Sequence, residues 1–170
     1  KLYSALLKNG FEVIGIDLKE GKDIIGCLPE EKFNYVFHMA ALPSVEFSVS
    51  SPSYSLRNNV YCTSVLLEWA KRNQVDKFIF SSSAAAENPM SPYGLQKKMS
   101  EMECKLYSDL YDLQTVSLRY YNVYSEDQTY GGPYSTVISA WMKMIRSNKP
   151  LRMDGDGTQT RDFIHVSDII

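Results

Sequence analysis

The hydrophobic and polar positions of the chain alternate between two kinds of segment. Short apolar runs, typical of buried parallel strands, are separated by longer segments whose apolar residues recur at helical spacing. The predicted strands cover residues 11–17, 34–41, 77–80, 115–121 and 151–157, the last of them with a tight turn, and another begins at residue 163. The predicted helices cover residues 1–10, 28–32, 58–73, 92–111 and 135–147; residues 44–55 are predicted as a loop or a helix entry, and residues 125–134 as a loop. This alternation predicts an α/β fold with a doubly wound parallel sheet.

One predicted helix carries a pair of residues suited to proton transfer. Tyr93 and Lys97 are four residues apart, which places them on one helix face, one turn from each other. Ser91 and Pro92 predict where this helix begins, because serine is a favoured N-cap and proline is favoured at the first helical position. An ammonium beside a phenol favours the phenolate, so we expect Lys97 to lower the pKa of Tyr93 from its ordinary value of about 10. Such a tyrosine takes a proton from an alcohol while hydride leaves the same carbon.

Three serines end the predicted strand that precedes this helix. Ser81, Ser82 and Ser83 follow residues 77–80, at the strand end where ligands bind in open α/β sheets. Because Tyr93 follows within a short loop, we expect the serines and the helix to face one crevice. A Tyr-x-x-x-Lys pair also arises by chance on many helices, and this setting is what favours a catalytic interpretation.

Composition and charge narrow the class of protein. The 170 residues fit one domain with a substantial core, and a net charge of −2 gives no electrostatic basis for binding nucleic acid or an anionic membrane. No apolar run approaches the roughly 20 residues of a membrane span. Cys27, Cys62 and Cys104 lie far apart, which favours reduced thiols and a cytoplasmic protein over a disulfide frame. With His38 and His165 as the only histidines, no metal site is predicted.

Six segments, in order along the chain, resemble the extended short-chain dehydrogenase/reductase family, and within it the NAD-dependent nucleotide-sugar epimerases. They are residues 36–41, Asn59-Val60 with Thr63, residues 78–83, residues 91–94 with Lys97, residues 118–124 and residues 155–163. The resemblance implies a Rossmann-type NAD-binding core over residues 1–121 and the start of a smaller substrate-binding region over residues 122–170. It also implies inversion of a sugar hydroxyl, expected at C4 of a UDP-hexose, by transient oxidation to a keto sugar with bound NAD.

The resemblance assigns roles to the matched residues. Ser83, with Ser82 as the alternative, would hydrogen-bond the reacting hydroxyl, Tyr93 would accept and return its proton, and Lys97 would hold the nicotinamide ribose. Besides Tyr93 and Lys97, the implied cofactor-binding residues are Asp17, Met39, Ala40, Ala41, Asn59, Ser81, Ser82 and Tyr120. Asp17, at a strand end, would bind the adenosine ribose and select NAD over NADP.

For three of the matched residues a structural interpretation stays open at this point. Asp17 is alternatively a solvated acid at a strand end, and Asn59 a plain residue near a helix N-terminus. His38 is better explained as a buried histidine, hydrogen-bonded to backbone, than as a catalytic group.

The implied substrate-binding residues, besides Ser83, are Asn122, Val137 and Arg161. A guanidinium suits bidentate binding of a nucleotide diphosphate, and the alternative for Arg161 is a surface ion pair with Asp162 or Asp156. A tyrosine-rich stretch would stack on the sugar or uracil, or serve in packing; its members are Tyr120, Tyr121, Tyr124, Tyr130 and Tyr134.

The departures from the family pattern bear on the reaction. The glycine-rich loop that seats the pyrophosphate would precede Lys1 and further substrate-binding residues would follow Ile170, so the chain is expected to be truncated at both ends. Ala84 and Ala85 follow Ser83 where dehydratases carry Asp-Glu, which disfavours elimination of water. An NAD-dependent dehydratase or reductase is the alternative within the family, and an inactive or NAD-sensing binding module is the alternative outside it.

The resemblance also implies a homodimer. Relatives pair through two helices, and helices 58–73 and 92–111 are the candidates. Leu106, Tyr107 and Leu110 would lie either in that interface or in the core.

Overall fold

A computed structural model gives the structure of residues 1–128 and 136–170. These residues form two compact units. One unit is Leu6–Tyr120, and the other joins Lys1–Ala5 to Tyr121–Ile170.

A three-stranded parallel sheet forms the centre of the unit Leu6–Tyr120. Its strands are β1 (Tyr35–His38), β2 (Lys77–Ser83) and β3 (Thr115–Tyr120), in the order β1-β2-β3. The other unit contains a parallel pair, β4 (Asn122–Tyr124) with β5 (Phe163–His165). The helices are α1 (Leu2–Lys8), α2 (Val45–Ser50), α3 (Pro52–Leu56), α4 (Cys62–Arg72), α5 (Pro92–Tyr111) and α6 (Val137–Arg146). The predicted α/β class with a parallel sheet is therefore confirmed.

The core lies where α4 and α5 pack on one face of the sheet. Phe78 and Phe80 of β2 are fully buried against Leu67 and Ala70 of α4, with Cys104 of α5 completing the cluster. The apolar residues of β2 bury because a central parallel strand is covered by its neighbours on both edges and by helices. This packing fixes α5 against the strand that ends in the serines.

Local signals set the bounds of α5 where the sequence predicts them. The Ser91 hydroxyl oxygen accepts a hydrogen bond from the Gly94 N–H at 3.2 Å, and Pro92 occupies the first turn. The helix ends at Asp112, whose φ of 56° lies in the left-handed region. The helix predicted over residues 58–73 is also present, but it begins as a π-helical turn, Arg57–Tyr61, that leads into α4.

Three predicted elements are wrong. Residues 11–17 pair with none of the described strands, and Phe11 and Ile14 are about half exposed; a strand needs a partner for its backbone groups, whatever its apolar pattern. Residues 28–32 form no helix, and the Pro29 carbonyl accepts a hydrogen bond from Trp69 Nε1 at 3.0 Å instead. Residues 151–157 contain no strand, but the chain does bend at residues 155–157, where Gly155 and Gly157 have φ of 81° and 82°.

Two short elements differ from the prediction in smaller ways. Residues 44–55 fold as α2 and α3, which the sequence left open between loop and helix entry. The strand β4 was not predicted, because three residues show no periodicity. Within residues 1–128 and 136–170, no helix combines the length and apolar character that crossing a membrane requires.

Candidate active site

Tyr93 and Ser83 meet where β2 ends and α5 begins. The Ser83 hydroxyl is hydrogen-bonded to the Tyr93 phenol. The Tyr93 N–H donates to Ser48 Oγ of α2 at 3.1 Å, which anchors this first turn from its other side. A Cβ on Gly94 would lie 2.5 Å from the Ala85 carbonyl oxygen, so the glycine is what lets α5 approach the loop after β2.

The alternation of side chains along β2 separates the three serines. Successive residues of a strand point to opposite faces, so Ser81 and Ser83 share a face and Ser82 takes the other. Ser82 Oγ donates to Glu101 Oε1 at 2.6 Å, and that carboxylate also accepts two hydrogen bonds from Arg119. The structure therefore brings Ser83, and not Ser82, to Tyr93.

Lys97 lies one turn along α5 and is almost fully enclosed, with 3% of its surface exposed. Its Nζ donates to the Ser81 carbonyl at 2.6 Å and lies 4.7 Å from the centre of the Phe80 ring. Within the described residues it makes no ion pair with a carboxylate, and burial lowers its pKa to about 8. The Lys97 ammonium has three N–H groups, so it can also donate hydrogen bonds to a ligand in the site.

The pKa of Tyr93 differs from the sequence expectation. Burial raises the pKa of the phenol above its ordinary value, and the hydrogen bond with Ser83 only partly offsets that effect. We expected Lys97 to lower this pKa, but the ammonium is bonded to the Ser81 carbonyl. In the structure Tyr93 is therefore a protonated phenol at neutral pH.

The loop after β1 contains the small residues predicted to line the cofactor. Met39 and Ala40 are exposed and Ala41 is half-buried. Asn59 holds the end of this loop: its Oδ1 accepts from the Leu42 N–H at 2.7 Å and its Nδ2 donates to the Leu42 carbonyl at 3.1 Å. Asn59 is buried in the π-helical turn, so it is not a plain residue at a helix terminus.

His38 is a core residue, as the structural interpretation expected. It is 2% exposed, and burial, followed by the charge of Lys97, lowers its pKa to about 3. Its partner is a side chain and not the expected backbone group, because Nε2 lies 2.9 Å from Thr63 Oγ1. The Thr63 hydroxyl donates its own hydrogen to the Asn59 carbonyl at 2.7 Å. His38 Nε2 is therefore the donor in the hydrogen bond with Thr63 Oγ1.

Two further predicted cofactor residues lie in different settings. Asp17 does not end a strand of the sheet; it is exposed and its Oδ1 caps a short 3₁₀ turn by accepting from the Lys19 N–H at 2.9 Å. Tyr120 ends β3 beside Ser83 in the sheet register and is half-buried.

The predicted substrate-binding residues belong to the unit that contains Tyr121–Ile170. Asn122 Nδ2 donates to the Asp162 carbonyl at 2.8 Å, and Arg161 Nη1 donates to the Thr160 carbonyl at 2.7 Å. Val137 is the first residue of α6 and is exposed. In the described chain Arg161 makes no ion pair with Asp162 or Asp156. Tyr130 and Tyr134 lie outside the described residues, and Tyr121 and Tyr124 are exposed.

Sequence reasoning missed one buried residue of this site. Gln96 lies between Tyr93 and Lys97 on α5 and is 2% exposed. Gln96 lies three residues after Tyr93, and this spacing places it beside the same face of the helix. That spacing is the sequence signal from which its burial could have been predicted.

A parallel α/β sheet with serines at the end of β2, and with a helix carrying Tyr93 and Lys97 packed beside them, is typical of Rossmann-type folds. Residues 2–170 match the model of the NAD dependent epimerase/dehydratase family, and the chain belongs to this family. The resemblance seen in the sequence is thereby confirmed.

Several members of this family are similar over most of the chain. A putative UDP-glucose 4-epimerase of Methanocaldococcus jannaschii is 35% identical, over 93% of this chain and 56% of that protein. The solved UDP-N-acetylglucosamine 4-epimerase of Methanobrevibacter ruminantium is 39% identical with a TM-score of 0.76, over 80% of this chain and 48% of that one. The UDP-glucose 4-epimerase of Thermotoga maritima is 29% identical with a TM-score of 0.85, over 98% and 65%. The chain thus spans about half to two thirds of their length.

Proposed function

We propose that the protein is a nucleotide-sugar epimerase that inverts a hydroxyl, at C4 of a UDP-hexose, by transient oxidation to a keto sugar with bound NAD. The observation that carries this proposal is the Ser83–Tyr93 hydrogen bond at the end of β2, with buried Lys97 one turn further along α5. A hydroxyl and a phenol in contact, next to an enclosed ammonium, suit proton exchange with an alcohol.

Each residue has one task in the reaction. Ser83 would orient the sugar hydroxyl. Tyr93 would act as a phenolate: after its phenol has released its own proton to solvent, its oxygen would take the hydroxyl proton as the C–H bond breaks. Reversible uptake of the hydride from the same carbon is the chemistry that NAD would supply when bound. Once the keto sugar has turned over and been reduced from its opposite face, Tyr93 would give the proton back to the oxygen and return to the phenolate, so that atoms and electrons balance over one cycle.

The residues around the site suit NAD. Lys97 has ammonium hydrogens available for ribose hydroxyls, and the short side chains of Ala40 and Ala41 leave backbone open to a ligand. Asp17 is exposed and would accept hydrogen bonds from the adenosine ribose. The family itself is NAD-dependent, which supports the same cofactor here.

Epimerisation fits this chain better than dehydration. Ala84 and Ala85 follow Ser83, so no acid is present there to remove a second group from the sugar. In the other unit, Asn122, Val137 and Arg161 would bind the nucleotide sugar. The similarity to UDP-glucose and UDP-N-acetylglucosamine 4-epimerases supports a UDP-hexose as substrate.

The cysteines bear on where the protein is located. Cys27, Cys62 and Cys104 are free thiols, which supports the cytoplasm as the protein's location.

Neighbouring serines offer a matched test of the site. We expect Ser83→Ala to lower turnover of a UDP-hexose by about 10²-fold, because Tyr93 and the substrate both lose a hydrogen-bond partner. Ser82→Ala loses the hydrogen bond to Glu101 and is expected to reduce thermal stability while keeping most of the turnover. Steady-state rates and melting temperatures of both variants check this. Equal losses of turnover, or a larger loss in Ser82→Ala, would contradict the assignment of Ser83.

A homodimer through α5 is the proposed assembly. Exposed apolar residues recur every three or four positions along this helix: Leu95, Met99, Met102, Leu106 and Leu110. Tyr107 instead packs partly against the core. An apolar stripe on a 20-residue helix extends about 30 Å, long enough to pair with its equivalent in a second copy.

Sedimentation equilibrium tests the proposed dimer. We expect a dimer for the wild type and a monomer for Leu106→Glu, because the substitution places a charge within the apolar stripe. Met90→Glu is the control, since Met90 is exposed outside the helix. A wild-type monomer would rule out this assembly.

A further inference from the structure

We infer that Gln96 is a positioning residue, which ties the turn of α5 carrying Tyr93 and Lys97 to the loop after β1. This inference rests on the proposed function, because it concerns how the proton-transfer residues are held relative to the loop predicted to line NAD. Gln96 itself is enclosed behind the site and acts through its neighbours.

Every polar group of the Gln96 side chain has a partner. Its Oε1 accepts from Asn59 Nδ2 at 2.8 Å, and its Nε2 donates to Ser55 Oγ at 2.7 Å and to the Pro52 carbonyl at 3.4 Å. A buried amide satisfied on both sides fixes the orientation of all the groups it contacts. Gln96 therefore joins α5 to α3 and to the π-helical turn at one point.

The link continues from Asn59 to the loop. One Nδ2 hydrogen of Asn59 reaches Gln96 and the other reaches the Leu42 carbonyl, while Oδ1 accepts from the Leu42 N–H. An amide can take two orientations, and the acceptor on Gln96 selects the one whose nitrogen faces it. That orientation is also the one that pairs both backbone groups of Leu42, directly after Ala41. Gln96 thus sets the loop through Asn59.

Substitutions at Gln96 separate its two sides. Gln96→Met keeps the length of the side chain and removes both hydrogen-bonding groups. Gln96→Glu keeps the acceptor toward Asn59. It turns the Nε2 donor, which faces Ser55 Oγ at 2.7 Å and the Pro52 carbonyl at 3.4 Å, into a second acceptor. Burial raises the pKa of such a carboxyl, so the glutamate regains a donor as the pH falls below that raised value.

Hydrogen exchange at the Leu42 amide tests the coupling directly. We expect Gln96→Met to speed this exchange at least about tenfold beyond any change at the core amide of Phe80. Ser64→Ala is the matched control, because it removes the 2.6 Å hydrogen bond between Ser64 and Glu103, which also joins α4 to α5 but does not lead to Leu42. If the Leu42 and Phe80 amides of Gln96→Met change together, as expected in Ser64→Ala, the inference is overturned.

Kinetics distinguish positioning from stability. We expect Gln96→Met to lower kcat for a UDP-hexose by about tenfold to a hundredfold with KM changed less than twofold, since small misplacements of reacting groups act on the rate. Gln96→Glu should recover kcat between pH 8 and pH 6 relative to wild type, which a loss of folded protein alone does not produce. If Gln96→Met does not fold, a flat kcat ratio for Gln96→Glu over this range overturns the inference.

The two proposals fail in different ways. Exchange at Leu42 needs neither cofactor nor substrate, so a wild type that converts no nucleotide sugar would overturn the proposed function and leave the coupling measurable. A wild type that turns over normally, with Leu42 exchange and kcat unaffected by Gln96→Met, would overturn the coupling alone.

Discussion

Tyr93→Phe is expected to lower nucleotide-sugar turnover by about 10²- to 10⁴-fold, the range that a positioned proton-transfer group contributes. The substitution keeps the buried ring and removes the hydroxyl that contacts Ser83. Because the substitution leaves Lys97 and the loop after β1 unchanged, and these are the groups proposed to bind NAD, the amount of NAD bound to the variant should match wild type. Steady-state kinetics and chromatography of dinucleotide released on denaturation measure the two quantities.

Tyr107→Phe provides the control for that experiment. Tyr107 lies on the same helix and its hydroxyl donates to Glu68 at 3.3 Å, away from the serines. Removing this hydroxyl should leave turnover within about twofold of wild type. If Tyr93→Phe retained turnover, the mechanism would be wrong; if both variants bound NAD and the wild type converted no sugar, a binding module would be the better account.

Lys97→Met is expected to remove activity and to change how stability depends on pH. Turnover should fall at least about 10²-fold, because the ammonium is the group suited to the cofactor ribose. The folded-state pKa of Lys97, about 8, lies below its ordinary value of 10.5. Between these values the unfolded chain holds a proton that the folded protein has released, so the wild-type free energy of unfolding rises with pH in this window.

The rise attributable to Lys97 is on the order of 3 kcal/mol, from about 1.4 kcal/mol for each unit of pKa. Lys97→Met has no such proton, so its stability should lack that rise between pH 8 and pH 10.5. Denaturant unfolding at several pH values measures the difference. Lys98→Met is the control, because Lys98 is the next residue of α5 but its side chain is 39% exposed, with Nζ 3.7 Å from Glu101 Oε2. Parallel stability curves for wild type and Lys97→Met would show that the ammonium is not enclosed as the structure has it.

Local sequence signals were enough to predict the helix that carries the site. Ser91 and Pro92 fix its start, and the Tyr93–Lys97 spacing fixes the face they share. Local sequence signals did not show which of the serines faces Tyr93. Choosing Ser83 over Ser82 needed the pleat of β2 and the position of Glu101, which lies 19 residues from Ser82 in sequence.

What the sequence could not predict depends on burial and on distant partners. The pKa of Tyr93 is raised because burial outweighs the opposing effect of the hydrogen bond with Ser83, and a spacing rule does not contain burial. Residues 11–17 have a strand pattern without a strand partner in the described chain. Gln96 meets Asn59 across 37 residues of sequence, so no local pattern indicates the contact.

The fate of the C4 hydrogen tests the central claim most directly. UDP-glucose and UDP-N-acetylglucosamine deuterated at C4 are incubated with the protein, and the epimers are analysed by NMR and mass spectrometry. The account predicts an epimer that keeps deuterium at C4, because the same hydride leaves and returns within one active site. Conversion with loss of deuterium to solvent, or no conversion of either sugar, would contradict it.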